Sequence, residues 1–253
     1  MKAMVLAAGL GTRLRPLTDH LPKALVEVAG HTLLEMALAR LRSFGLRDVI
    51  VNAHHHAAMI ENYLAAHDNF GLRIAVSRED TLLDTGGGLR KASPFFLEQG
   101  GDEPFVVHNV DVISTIDLAA MVKFHVESSA LATLAVQDRK TSRHLLFDEQ
   151  GQLCGRSTGQ DGTDDLVTPV AAPRALAFAG IHVISPRIFS RLTEVGAFSI
   201  INAYLRLAGQ GESIIAYPAG SCQWRDLGTP GSIAQAAEEI RSGRFQPVLP
   251  ISR

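Results

Sequence analysis

Three features of this 253-residue chain predict an α/β fold with a mostly parallel central sheet flanked by helices. Short apolar runs alternate with stretches of helical periodicity, the sign of successive βα units. Those helical stretches carry residues that start and stop helices, among them Asp117, Thr229-Pro230 and Gly45. A hydrophobic content of 46% with 20% charge lets a core form without disulfides or a structural metal.

Strands are expected at Ala3–Ala7, Val49–Asn52, Arg73–Val76, Phe105–His108, Ala132–Val136, Phe178–Ile184 and Ser213–Tyr217. Between the first two, Leu33, Leu34, Ala37, Leu38 and Leu41 share one helical face, and Gly45 supplies the left-handed residue that ends it. Ile60 and Tyr63-Leu64 mark a second helix. Asp117 can cap a third, with Leu118, Met121, Val122 and His125 inward. Ile200–Ala208 reads as a helix stopped by Gly209, and Thr229-Pro230 opens the last one, with proline in its first turn. The polar stretch Asp148–Pro173 reads as long loops, and Gln246–Arg253 as an extended tail.

Charge and cysteine content exclude several classes. The 24 basic and 26 acidic side chains leave a net charge of −2, without the basic excess of a general nucleic-acid binder, so no nucleic-acid partner is expected. Cys154 and Cys222 are isolated, which suits a reducing compartment. The apolar run Ala3–Ala8 is too short for a signal peptide, and no apolar stretch approaches the roughly 20 residues that span a bilayer. A cytoplasmic protein with no membrane partner is expected; oligomeric state is not readable.

The informative segment follows the first strand: Leu6-Ala7-Ala8-Gly9-Leu10-Gly11-Thr12-Arg13-Leu14-Arg15-Pro16-Leu17-Thr18, then Pro22-Lys23. Small residues after a buried strand let backbone N–H groups approach a ligand, a geometry that binds phosphate. A dinucleotide fingerprint fails because Leu14 stands at its third small position. A P-loop fails because Gly11 is followed by Thr12-Arg13. Arg13 can fork across two phosphate oxygens, and Lys23 adds a second cation behind a proline. Taken alone, the glycine pair reads as a tight turn, with Arg13 and Lys23 as solvated surface charges; the whole run through Pro22-Lys23 favours a phosphate site.

Two aspartates suit a divalent cation. Asp111 ends the apolar strand Phe105–His108 and its Asn109-Val110 extension, and carboxyl ends of strands are where open α/β sheets bind ligands. Asp226 lies in Trp224-Arg225-Asp226-Leu227-Gly228-Thr229, so only folding could unite the two. The alternatives are a turn residue and a helix-leading acid. Three adjacent histidines, His54–His56, cannot readily share one tetrahedral zinc. His108 and His182 read as packed strand residues, and Trp224 as core.

This whole pattern resembles the sugar-1-phosphate nucleotidyltransferases, and the likeness runs over nearly the entire chain. The resemblance implies a Rossmann-like nucleotidyltransferase fold and synthesis of an NDP-sugar and pyrophosphate from an NTP and a sugar 1-phosphate, with Mg²⁺. It implies a single domain over 1–253, with nucleotide binding mainly in 1–110, sugar and metal binding in 111–245, and the tail beyond. Leu6, Ala7, Ala8, Gly9, Gly11, Thr12, Arg13 and Lys23 would hold the nucleotide. Thr85, Gly86 and Gly87 would lie against base and sugar, in a glycine-rich loop that enters a helix. Asn109, Gly180 and Arg156 would meet the sugar, and Asp111 and Asp226 the metal. Arg13, Lys23 and Asp111 would be the catalytic set.

Two departures bear on the acceptor. Val110 stands where the family has glycine, and the Glu-Lys-Pro lysine is missing, which leaves Arg156 as its substitute. Within the family, the short length, Thr85–Gly88 and Phe178–Ile181 are most like the uridylyltransferases acting on N-acetylmuramate 1-phosphate in cell-wall recycling; mannose-1-phosphate guanylyltransferases are the alternative. Two further readings are a non-catalytic nucleotide-sugar-binding relative and a phosphocholine cytidylyltransferase.

Overall fold

The computed structural model describes residues 1–98, 101–157 and 164–249. In chain order the strands are β1 (Lys2–Leu6), β2 (Glu27–Val28), β3 (His31–Thr32), β4 (Asp48–Ala53), β5 (Arg73–Arg78), β6 (Phe105–Asn109), β7 (Val112–Ser114), β8 (Ala132–Gln137), β9 (His144–Phe147), β10 (Leu153–Ser157), β11 (Asp164–Leu166), β12 (Arg174–Ile184), β13 (Ile214–Pro218) and β14 (Trp224–Asp226). The helices are α1 (Leu33–Ser43), α2 (Ala57–Ala66), α3 (Asp84–Lys91), α4 (Ser93–Leu97), α5 (Leu118–Ser128), α6 (Ile200–Gly209) and α7 (Pro230–Arg241). The chain is α/β with a Rossmann-like fold, and it divides into two compact units.

The first unit comprises Met1–Asp84, Val107–Ile116 and the chain from Cys222 on. In it β1 pairs with β4 and β4 with β5, all parallel. On its other side β1 neighbours β6, so strand order reverses between β1 and β6. Ligands of open α/β sheets bind at such a switch point. Both strands end together there, where the Val110 N–H donates to the Leu6 carbonyl at 3.1 Å. Helix α1 forms as its periodicity demands. Leu33, Leu34, Leu38 and Leu41 are fully buried, each stabilising the fold by roughly 1.5–3 kcal/mol. Thr32 and Glu35 close its start as a capping box, and Gly45, at φ 78°, follows its end.

The second unit comprises Thr85–Val106 and Asp117–Ser221. Its strands run β11-β10-β9-β12-β8-β13. Here β8 and β13 are parallel, and the other pairs are antiparallel. Asp117 caps α5 through the Ala119 and Ala120 N–H groups. The stretch expected as loops instead holds the β10–β11 hairpin, with Gly155 opposite Leu166 and Arg156 opposite Asp165. Its Asp164 and Asp165 are poor strand formers, held by pairing rather than propensity. Helix α6 runs through Gly209, and the left-handed turn falls two residues later at Gly211, φ 85°. Residues 250–253 of the expected tail lie outside the described residues.

Candidate active site

The loop after β1 begins buried at Ala7 and Ala8 and emerges at Gly9 and Leu10. Gly9 has open space where a side chain would be. Gly11 is left-handed, φ 65°, and a β-carbon there would come within 2.8 Å of Thr18 Cγ2 and 3.1 Å of Lys23 Cβ. The Thr18 hydroxyl donates to the Gly11 carbonyl at 2.8 Å, so the glycine both turns the chain and admits its neighbours. A short 3-10 turn over Thr12–Leu14 follows, anchored by fully buried Leu14 and leaving Thr12 and Arg13 exposed.

Asp111 and Asp226 are brought together by the antiparallel pairing of β7 with β14. Asp226 sits opposite Val112, and the Leu227 N–H donates to the Asp111 carbonyl at 2.8 Å. Asp226 Oδ1 accepts from the Gly228 N–H at 2.7 Å. A β-carbon on Gly228 would stand 2.6 Å from both Asp226 Oδ1 and Arg13 Nη2, which places the Arg13 guanidinium beside the Asp226 carboxylate. Lys23 Nζ forms an ion pair with Asp111 Oδ2, each side chain largely withdrawn from solvent. Two cations and two carboxylates therefore converge beside the glycine-rich loop. Arg225 secures β14 by donating to Glu239 of α7 at 2.8 Å.

Neighbouring groups hold this framework. Arg40, buried on α1, donates to the carbonyls of Ser114, the last residue of β7, and of Ile116 just beyond it. His108, completely buried in β6, has its pKa lowered to about 4, chiefly by burial and then by Arg40, against the opposing pull of the Asn109 carbonyl and Asp111. Its Nδ1 lies 2.8 Å from that carbonyl, so it is a packed strand histidine, as expected. Asn52 and Glu79, which the sequence reading passed over, form a buried chain of hydrogen bonds reaching Ala7. Their signal was weak: one amide at a strand end and one acid just past β5.

In the second unit the expected contacts look different. Thr85, Gly86 and Gly87 lie inside α3 rather than in a loop preceding it. The Gly86 and Gly87 N–H groups both point at the Phe198 carbonyl, at 2.9 and 3.3 Å, and the Phe198 ring fills the space of a Gly86 side chain. Thr85 Oγ1 accepts from the Ile200 N–H at 3.0 Å, at the start of α6. Arg156 donates to Asp165 Oδ2 at 3.1 Å and to Asn202 Oδ1 at 3.0 Å, on that same helix. Gly180 takes φ 74° where the β8–β12 register shifts. His182 Nδ1 lies 2.8 Å from the Tyr204 hydroxyl; Trp224, in the first unit on β14, is half-buried rather than core.

A switch-point loop with two cations and two acids is the anatomy of a protein that handles charged phosphate ligands. The chain belongs to the nucleotidyl transferase family, whose model matches residues 2–145. It is 35% identical to the N-acetylmuramate alpha-1-phosphate uridylyltransferase of Caulobacter vibrioides, over 94% of this chain and 96% of that protein. It is 38% identical to the UTP–glucose-1-phosphate uridylyltransferase of Synechocystis sp., over 98% of this chain and 65% of that protein. Its fold is that of a solved UDP-glucose pyrophosphorylase in complex with UDP-glucose: TM-score 0.77, 19% identity, 96% and 99% of the two chains covered.

Proposed function

We propose that the chain transfers a nucleotidyl group from UTP to N-acetylmuramate 1-phosphate, releasing pyrophosphate. One observation carries the reaction class: Arg13, Lys23, Asp111 and Asp226 converge around Gly11 and Gly228 at the ends of β1 and β6. The Caulobacter relative and a second, 32% identical N-acetylmuramate alpha-1-phosphate uridylyltransferase from Neisseria meningitidis support the choice of substrates, since both match this chain over nearly their whole length.

The donor set suits magnesium, which takes oxygen ligands and keeps several waters, so two carboxylates beside a triphosphate suffice. When bound, the ion neutralises charge on the phosphates and lowers the energy of the charged transition state. Asp111 and Asp226 would hold it. Arg13 and the N–H groups of Gly9–Thr12 bind phosphate oxygens, and Lys23 moves from Asp111 to the phosphates as the nucleotide arrives. The acceptor phosphate is itself the nucleophile, so no serine or cysteine is needed. It attacks the α-phosphorus in line as the pyrophosphate oxygen leaves.

The test is a pyrophosphate-release screen of UTP, GTP, CTP and dTTP against N-acetylmuramate, glucose and mannose 1-phosphates, with and without magnesium. Turnover is expected with UTP and N-acetylmuramate 1-phosphate, and only with the metal. Turnover confined to GTP with mannose 1-phosphate would replace the substrates and keep the reaction. No turnover with any pair, alongside nucleotide-sugar binding, would make the chain a silent binder.

A further inference from the structure

We infer that Asn52 and Glu79 are positioning residues: a one-way hydrogen-bond chain from Glu79 through Asn52 sets the start of the glycine-rich loop for nucleotide binding. The inference rests on the loop's nucleotide role proposed above, and the residues concerned all lie in the first unit.

The chain of bonds begins where β1 ends. The Ala7 N–H donates to Asn52 Oδ1 at 2.7 Å, and Asn52 Nδ2 donates to Glu79 Oε1 at 2.7 Å. The other carboxylate oxygen, Glu79 Oε2, accepts from the Leu83 N–H at 3.0 Å. The Glu79 backbone is pinned too: its N–H donates to the Ala53 carbonyl at 2.8 Å, and its carbonyl faces His54 Nδ1 at 2.8 Å. Asn52 is 2% exposed and Glu79 is 4% exposed, so water does not stand in for any of these partners.

Direction explains why an acid is buried here. Both ends of the chain, Ala7 and Leu83, are backbone N–H donors pointing inward, and neither can be reversed. An amide passes direction along, accepting on one side and donating on the other. Two amides in series would therefore leave two donors face to face. One acceptor-only group resolves the conflict, and Glu79, bonded at both oxygens, is that group. The cost of burying its charge is offset by two aimed N–H groups. Ala7 is thereby fixed at the point where the strand gives way to the loop carrying Gly9, Gly11 and Arg13.

A polarity swap tests this chain of bonds. Glu79→Gln places a donor against either Asn52 or Leu83, whichever way the new amide turns. Asn52→Asp places two carboxylates together. The double variant N52D/E79Q keeps every shape and the net charge, and it restores all three bonds with the acceptor-only group at position 52. Each single variant is expected to raise the KM for UTP about tenfold, with kcat changed less than about threefold. Each should also speed amide hydrogen exchange across residues 6–14 about tenfold. The double variant should bring both readouts back to within about twofold of the parent.

Single variants that leave both readouts unchanged overturn the inference. So does a double variant no better than the milder single, whether it folds or not. If the parent turns over none of the nucleotides, the proposed function fails. The exchange pattern alone then decides whether the chain of bonds orders the loop.

Discussion

Each unit holds a glycine pressed by its neighbours, and the neighbours differ in kind. Beside Gly228, in the first unit, stand the Arg13 guanidinium and the Asp226 carboxylate. Against Gly86, in the second, lies the Phe198 ring. The first glycine makes room for charges that burial does not require, whereas the second makes room for an aromatic side chain that packs. Charges gathered at strand ends without a packing reason mark a place built for a ligand. A glycine filled by phenylalanine marks a place built for cohesion. The family motif flagged both segments alike; the surroundings separate them.

The strongest break of this contrast comes from the acids. Asp111→Ala and Asp226→Ala should each lower kcat about 10³-fold or more in the pyrophosphate assay, with the far-ultraviolet circular dichroism unchanged. A rate within tenfold of the parent would remove that acid from the mechanism. Next come the two glycines. Gly228→Ala should displace Arg13 and Asp226 and reduce kcat about 10- to 100-fold while moving the melting temperature little. Gly86→Ala should act on stability instead, by about 1–3 kcal/mol in a denaturant titration, because the ring must shift. If Gly86→Ala left stability alone and raised the KM for UTP, the glycine would be ligand-facing and the contrast would fall.

Acid stability probes what the units share. His108 in the first unit and His125 in the second are both held to a pKa of about 4, below the ordinary 6.5, mainly by burial, with Arg40 or Arg187 adding to it. A depressed pKa means the folded state stays neutral while the unfolded chain takes up protons. Stability is therefore complete above pH 6.5 and falls as pH drops toward 4, by about 1.4 kcal/mol per pH unit for each histidine. Unfolding titrations between these limits should show that slope. His125→Asn, which keeps a partner for the Thr133 hydroxyl, should remove about half of it.

The smallest effect is expected at Arg156. Its ion pair with Asp165 is about half exposed, so Arg156→Ala should alter stability by less than about 1 kcal/mol. A rise in the KM for the sugar phosphate alone would assign it the acceptor contact.

The sequence made the first unit's strands and the capped helices readable, because β1, β4 and β6 are apolar runs and α1 and α5 carry their own caps. It hid β10 and β11, whose Arg156, Asp164 and Asp165 look like loop residues until a partner strand pairs them. The glycines at 86–88 suggested a loop, since glycine is a poor helix former; their helix survives because Phe198 and Ile200 bond to its first turn. At the site, the charged members stood out by motif. Asn52 and Glu79 did not, because their meaning lies in which way each bond points, and spacing carries no record of that.

The ribbon of Val112–Ser114 with Trp224–Asp226 also has a temporal side. A chain still being synthesised owns its glycine-rich loop early, yet Asp111 gains its neighbour Asp226 only when the ribosome has passed that residue. On the proposed function, a product ended after Asp111 but before that residue would keep the nucleotide loop and Asp111 but lack the second carboxylate, so it would bind without turning over.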